Sequence, residues 1–361
     1  MATAKTDTAP QWQKLDRTTV VSSPDEVGAG EQLKLIGTHD GVFHCDEVLA
    51  CALLRLLPEY ESAAVIRSRN PAYLDRAHTV VDVGGVYDAA ARRFDHHQAG
   101  FADVLGGGFE TKLSSAGLVY KHYGRRVIET IVGPQAAAAA IDVMYKKIYQ
   151  SFVEAIDGID NGIEVADGPL RYKIYTHLSG RVGQMNPRWN QEQSPGQSNA
   201  AFKRAMRLAG EEFVNSVVDL WDSWWPAREI VKLAYGNRHN VHSSGQIVLL
   251  ERFCPWASHL FDIEQQQQQQ QQQGGSSSVP PVVYVIYADV KGSWRVQAVA
   301  EEEGSFTSRK ALPEQWRGLR DEELSRVMGI EGGVFVHGTG FIGGHATKEG
   351  AMKMAEKALA A

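Results

Sequence analysis

Cysteine is scarce in this 361-residue chain, which has only Cys45, Cys51 and Cys254 and no CxxC pair. That excludes a disulfide framework and a cysteine-built zinc module, and it fits a reducing compartment. Long apolar runs are missing too: none approaches the roughly 18 residues of a membrane-crossing helix. Nor is there an excess of positive charge, because 37 Lys and Arg face 43 Asp and Glu for a net charge of −6. A globally basic, histone-like grip on nucleic acid is excluded, while local basic grooves stay open. The N-terminal stretch lacks the apolar core of a secretory signal, and Asp7, Asp16, Asp25 and Glu26 make it too acidic for a convincing transit peptide, which leaves organelle import unsupported but not excluded. The expectation is a protein that is not secreted.

What is present is an ordinary globular composition, 43% apolar and 22% charged, over a length that predicts about two domains. Residues 1–31 show no apolar period and read as a disordered tail. From Leu33 the signals alternate. A strand-like run through Ile36 precedes a helical pattern from Val48 to Leu57 that Pro58 ends, and Ala64–Ile66 and Val80–Val81 are short β-branched strands. Strand, helix and strand in that order imply parallel pairing in an α/β domain spanning 32–240 with a helical extension. Helices are predicted from Ser115, across Gln135–Ile156 and from Ala201 to Tyr235, the last interrupted by Pro226. Residues 183–199 read as a long surface loop. Strands at Ile247–Leu250, Val282–Tyr287, Trp294–Ala300 and Val334–Val336, closed by a helix to Leu359, make a second domain over 241–361. The Gln/Gly/Ser-rich stretch 264–279 inside it reads as a disordered loop insertion.

Four clusters of acids and imidazoles carry chemistry. His39, His44 and Asp46 lie between the first strand and first helix, and Asp82 ends a later strand. In open parallel sheets ligands bind outside the carboxyl ends of the strands, so these residues reach one rim. Asp95-His96-His97 is a third cluster, whose adjacent imidazoles point in different directions. Asp157 and Asp160 form the fourth, three residues apart on one face of a continuing helix. A lone strand-end His is more often a hydrogen-bonded turn residue, and a lone Asp a helix cap; their recurrence at four neighbouring places favours a shared site. Mixed nitrogen and oxygen ligands without thiolates suit Mn²⁺ or Mg²⁺, with enough ligands for two ions sharing a carboxylate. Phosphoester hydrolysis follows from such a pair.

These motifs resemble the DHH phosphoesterases. THDGVFHCDE, VVDVGGVYD, FDHHQ, IDNG, LPEQWRGL and VHGTGFIGG together resemble one branch, the melanocyte-proliferating-gene exonuclease family, from Leu33 to Leu359. The resemblance implies a DHH domain with a central parallel sheet, a smaller DHHA1-like α/β domain, and two divalent cations, Mn²⁺ or Mg²⁺. It implies that His39, His44 and Asp82 hold one ion, and that Asp46, Asp82, His96 and either Asp157 or Asp160 hold the other. His97 would meet the scissile phosphate, and Asp95 would orient the histidines or complete a ligand shell. The wider superfamily usually carries Asp where His44 stands. In the second domain Arg295, Gly343, Gly344 and His345 would bind substrate, the glycines letting backbone amides approach a phosphate. The implied activity is 3′-to-5′ exonucleolytic cleavage of single-stranded RNA, in the nucleus and mitochondrion. Hydrolysis of short oligonucleotides or small phosphoanhydrides is the alternative within the same chemistry, and a non-catalytic metal-stabilised scaffold is the alternative outside it.

Overall fold

The computed structural model describes residues 11–27, 33–191, 194–274 and 280–361. The chain forms two compact units, Met1–Trp221 and Asp222–Ala361. Among the described residues no helix is long and apolar enough to cross a membrane.

The first unit runs β1 (Val20–Val21), β2 (Leu35–Thr38), α1 (Cys45–Leu56), β3 (Ala64–Arg67), α2 (Pro71–Leu74), β4 (Thr79–Val81), β5 (Tyr87–Asp88) and β6 (Arg93–Phe94). These strands form one sheet in the order β1-β3-β2-β4-β6-β5. Every neighbouring pair is parallel except β5 with β6. Strands β3 and β4 are buried along their whole length, as β-branched runs covered on both faces should be. Helix α1 is buried at every position, and Pro58 stops it by forcing Leu57 into an extended conformation. A hairpin follows, β7 (Val104–Gly106) with β8 (Phe109–Lys112), turned by Gly107 and Gly108 at positive φ. Five helices complete the unit: α3 (Ser115–Val132), α4 (Ala138–Ile148), α5 (Glu154–Asp160), α6 (Leu178–Gly183) and α7 (Pro195–Asp219). A single π-helical turn, Tyr149–Val153, joins α4 to α5.

The second unit contains α8 (Trp225–Gly236), α9 (Arg238–Val241), β9 (Ile247–Leu249), α10 (Ala257–Gly274), β10 (Tyr284–Ala288), β11 (Trp294–Ala298), α11 (Asp321–Met328), β12 (Gly333–Val336), β13 (Ile342–His345) and α12 (Lys348–Ala360). Its sheet order is β12-β13-β11-β10-β9, with only β9 and β10 parallel. Strand β10 alternates with period two. Tyr284 and Ile286 pack with Leu324 and Met354 of α11 and α12, whereas Val285 and Tyr287 pack with Val231 and Leu260 of α8 and α10.

The α/β class is as the sequence indicated; several boundaries are not. Residues 11–27 are no tail. Gln11–Arg17 forms a 3-10 helix whose Leu15 is fully buried against α1 and α7, in a space that Gly210 leaves by having no side chain. Thr18 accepts a hydrogen bond from the buried Arg55 at 2.9 Å, and β1 extends the sheet beyond β3. One leucine and a two-residue strand are too short to show a period. The units divide at Trp221 rather than after 240, because Ala227, Val231 and Tyr235 pack against Val248 and Leu250 of the second core. Helix α7 starts at Pro195, inside the expected loop 183–199, behind a capping box at Ser194. Residues 264–274 continue α10 instead of forming a loop, since Leu260 and Ile263 anchor a helix that glutamine tolerates well. The rest of that insertion, 275–279, lies outside the described residues.

Leu15→Ala tests whether the N-terminal helix belongs to the core. Urea denaturation should show a loss of about 2–5 kcal/mol, the cost of a buried Leu truncation, where a detached tail would give almost none.

Candidate metal centre

Strand β4 lies between β2 and β6, so three neighbouring parallel strands end side by side. Thr38 hands over to His39, Val81 to Asp82, and Phe94 to Asp95-His96-His97. Asp82 has φ +57, a left-handed turn that Asp tolerates better than most residues and that ends the strand at once. The first turn of α1 adds Asp46 and Glu47, whose negative charge suits a helix N-terminus. The end of α5 adds Asp160, and the start of α3 adds Ser115.

Asp82 is the hub. Its Oδ2 lies 3.3 Å from His39 Nε2, and its Oδ1 lies 3.3 Å from His96 Nε2 and 3.4 Å from His97 Nδ1. His39 Nε2 is also 3.1 Å from Glu47, and His96 Nε2 is 3.1 Å from Asp160 and 4.0 Å from Asp46. Ser115 Oγ sits 3.0 Å from Asp46 and 2.9 Å from Asp82, so one hydroxyl proton serves both carboxylates. Buried Asp95 accepts from Gly85 N–H at 2.6 Å, from His97 N–H at 3.0 Å and from His97 Nδ1 at 2.9 Å. The His97 ring is therefore fixed by one nitrogen while most of the side chain stays exposed.

The electrostatics are those of a buried cluster of acids and imidazoles that could hold cations. Burial, then the charges of Asp82, Glu47 and Asp160, pushes Asp46 well above the usual carboxylate range. Burial would also raise Asp82, but the adjacent His39 and His96 imidazoles hold it well below that range. Burial would lower His39, yet Asp82 and Glu47 outweigh it and raise the imidazole to about 10. His96 likewise rises to about 10, because Asp160 and Asp82 overcome its desolvation. Asp46 Oδ1 and both His96 ring nitrogens are buried without a well-aligned hydrogen-bond partner, which is costly unless something binds there. Three overlapping ligand groups result: His39, His44, Glu47 and Asp82; Asp82, His96 and His97; and His44, Asp46 and Asp160. Carboxylates and imidazoles in such sets suit hard divalent ions, so the residues present fit the cations. Burial pushes the Cys45 thiol up to about 12, which leaves it a protonated, buried side chain.

The structure thus gathers His39, His44, Asp46, Asp82, Asp95, His96, His97 and Asp160. It does not gather Asp157. That carboxylate accepts from Ser114 N–H at 3.0 Å, Ser114 Oγ–H at 2.6 Å, Gly117 N–H at 3.0 Å and Tyr149 O–H at 2.9 Å, so it caps α3 and stands outside every ligand group. Glu47 is the ligand candidate that sequence reasoning misses, although HxxE is visible in the first motif. Its carboxylate also accepts from His44 N–H at 3.0 Å, completing a capping box that makes it look purely structural. Arg67 is buried rather than solvated. It donates to Ser198 Oγ and to Gly41 O, each at 2.7 Å, and lies over the rings of Phe43 and Phe202, bracing the His39–His44 loop against α7.

In the second unit Gly343 and Gly344 lie within strand β13, not in a turn, and their amides belong to a ladder with β11 and β12. A Cβ on Gly343 would meet Met354, and one on Gly344 would meet Arg295 and Phe335, so packing demands glycine at both. His345 is buried with Nε2 2.9 Å from Glu331 O and Nδ1 accepting from Thr347 N–H at 3.1 Å, which ties β13 to the start of α12 instead of facing a substrate. Arg295 pairs with Asp289.

A family model described as an uncharacterised protein family, UPF0160 (MYG1_exonuc), matches residues 35–359. MYG1 exonuclease of Mus musculus is 48% identical over 333 residues, covering 90% of this chain and 84% of its own. MYG1 exonuclease of Homo sapiens is 47% identical, with 90% and 85% covered. The MYG1 protein of Caenorhabditis elegans is 46% identical, with 90% and 95% covered. A crystal structure of RecJ in complex with Mg²⁺ from Thermus thermophilus aligns with 91% of this chain and 50% of its own, at 12% identity and a TM-score of 0.23, too loose an overlay for residues to be transferred.

Exchanging the two aspartates separates their roles. Asp157→Ala should lower unfolding stability by about 2–4 kcal/mol, since it strands several buried donors. Asp160→Ala should leave stability nearly unchanged and weaken divalent-cation binding roughly tenfold or more, read by calorimetric titration. A second outcome concerns protons. With His39 and His96 raised to about 10, both imidazoles are charged at neutral pH before a cation arrives, and ligation needs them neutral. Cation binding at pH 7.5 should therefore release about one proton from each of these rings, with any proton held by Asp46 adding to that, and affinity should fall as pH is lowered. Titrations in buffers of different ionisation enthalpy measure this directly; zero release would mean that the free centre already holds neutral rings.

Proposed function

The chain belongs to the MYG1 exonuclease family, and from that premise we propose that it is a metal-dependent exonuclease that shortens single-stranded RNA from the 3′ end. Asp82 carries this proposal: one buried carboxylate, set between His39 and His96 at the end of β4, is shared by two of the three ligand groups. His39, His44, Glu47 and Asp82 would hold one cation; Asp46, Asp82, His96 and Asp160 would hold the other. Mn²⁺ suits the mixed imidazole and carboxylate set, with Mg²⁺ as the second choice. Divalent cations bound there supply the Lewis acidity that polarises a phosphoryl oxygen and acidifies water.

The chain's own groups do the rest. Ser115 keeps Asp46 and Asp82 in register. Asp95 takes the Nδ1–H of His97, which fixes the ring with Nε2 facing outward; in the doubly protonated ring the Nε2–H can donate to a phosphoryl oxygen or pass its proton to the departing ribose oxygen. The second unit, Asp222–Ala361, is read as the DHHA1-like partner that holds the strand, with Arg295 in the space that Gly344 leaves open. On the family resemblance we place the work in the nucleus and mitochondrion.

The test uses RNA and DNA of one sequence, labelled at either end, with Mn²⁺, Mg²⁺ or chelator, beside a dinucleotide and pyrophosphate. Asn tolerates the left-handed backbone at position 82, so Asp82→Asn should fold normally. That variant and His96→Ala should lose on the order of 10²–10³-fold in kcat while circular dichroism and Tm stay near wild type. Full activity in both variants, or the same turnover with chelator, overturns the proposal. Preferential loss of a 5′-end label overturns the direction, and faster cleavage of DNA overturns the substrate.

A further inference from the structure

A cavity of about 340 Å³ in the first unit is lined by His44, Cys45, Ile159, Asp160, His177 and Gly180 among others, so it opens beside the ligand groups. The chain leaves this cavity at Asp160 and returns to it at His177. Both ends are pinned: Asn161 Nδ2–H donates to Lys112 O at 3.0 Å and Asp157 O at 2.9 Å, and His177 Nδ1 accepts from Gly180 N–H at 3.0 Å. Between them, residues 162–176 have no regular secondary structure and are exposed throughout.

The stretch returning to the cavity reads Leu170-Arg171-Tyr172-Lys173-Ile174-Tyr175. Tyr172 is 74% exposed and Tyr175 66%, and neither they nor Arg171 and Lys173 make a side-chain hydrogen bond, ion pair or ring contact among the described residues. So many large apolar groups left in water on a pinned segment mark a contact surface. Cations interleaved with rings select the partner. Arginine and lysine attract a phosphate backbone, and exposed rings stack on bases of any sequence provided the bases are unpaired. The two acids of the segment, Glu164 and Asp167, lie on the outgoing half, away from these cations in sequence. A second copy of the same stretch would meet its own like charges.

We infer that residues 170–176 bind single-stranded nucleic acid outside the cleavage centre, Tyr172 and Tyr175 stacking on bases while Arg171 and Lys173 hold phosphates. The inference rests on the exonuclease reading and adds where the strand is gripped before it is cut. It also gives the cavity a part, as the passage between the grip and Asp160.

The test uses the full chain with chelator present, so that binding is read without cutting. Fluorescence anisotropy of a labelled oligouridylate should show Tyr172→Ala/Tyr175→Ala weakening affinity about tenfold or more, while Tyr172→Phe/Tyr175→Phe stays within about twofold. With Mn²⁺ restored, hydrolysis of bis(p-nitrophenyl) phosphate should be unchanged in both variants, because the reporter is too small to reach the segment. Equal oligonucleotide affinity in the Ala variant overturns the inference, as does equal weakening for a blunt duplex. A change of mass by light scattering with unchanged RNA affinity also overturns it and assigns the surface to a second copy. Absence of any nuclease activity in the wild type would fall on the exonuclease proposal instead, since the anisotropy is measured without catalysis.

Discussion

A carboxylate buried between two imidazoles survives only if its charge is answered, and the first unit is arranged around answering the charge of Asp82. His39 and His96 come from the strands on either side, so the parallel order β2-β4-β6 is what brings them within 3.3 Å. Helix α1 has to be apolar all round because it is covered on every side, yet its first turn carries Asp46 and Glu47 toward the same point. Two protonated imidazoles balance part of that negative charge; the remainder is what divalent cations would neutralise. The same arrangement that strains a cation-free centre is the one that positions ligands in advance.

The braces around the centre are built from ordinary protein interactions. Arg67 ties the loop after β2 to the start of α7, Asp95 holds both Gly85 and His97, and Asp157 secures the N-terminus of α3 from which Ser115 reaches the hub. None of these side chains needs to touch a cation to matter. Each fixes the backbone from which a ligand projects, which is how ligand geometry is held to a fraction of an ångström.

Sequence showed the part of this that follows from period and position. Strand-like runs ahead of His39 and Asp82 announce parallel strands with chemistry at their carboxyl ends, and the candidate ligands gather there, whereas the two-residue strand Arg93–Phe94 ahead of Asp95 is too short to read in the sequence. It could not separate Asp157 from Asp160, because residues three apart on a helix share a face and only the neighbouring start of α3 claims one of them. Glu47 was hidden by having a sufficient structural explanation as a capping residue. The glycine pair before His345 carries no sequence sign that it lies in a strand, where Met354, Phe335 and Arg295 fill the spaces those glycines leave. The buried Leu15 was invisible because a single leucine among polar neighbours has no period, and its partner Gly210 lies far away in the chain.

The π-helical turn at Tyr149–Val153 bears on how this front unit tolerates change. It places one residue more per turn than an α-helix would, and each residue of an α-helix advances the azimuth by about 100°. Everything downstream in α5 inherits that phase: Asp157 is clocked toward α3 and Asp160 toward His96. Substituting a side chain within the turn leaves the clock alone. Removing one residue would rotate both aspartates off their marks together, so the register of this short stretch is guarded by length more than by lettering.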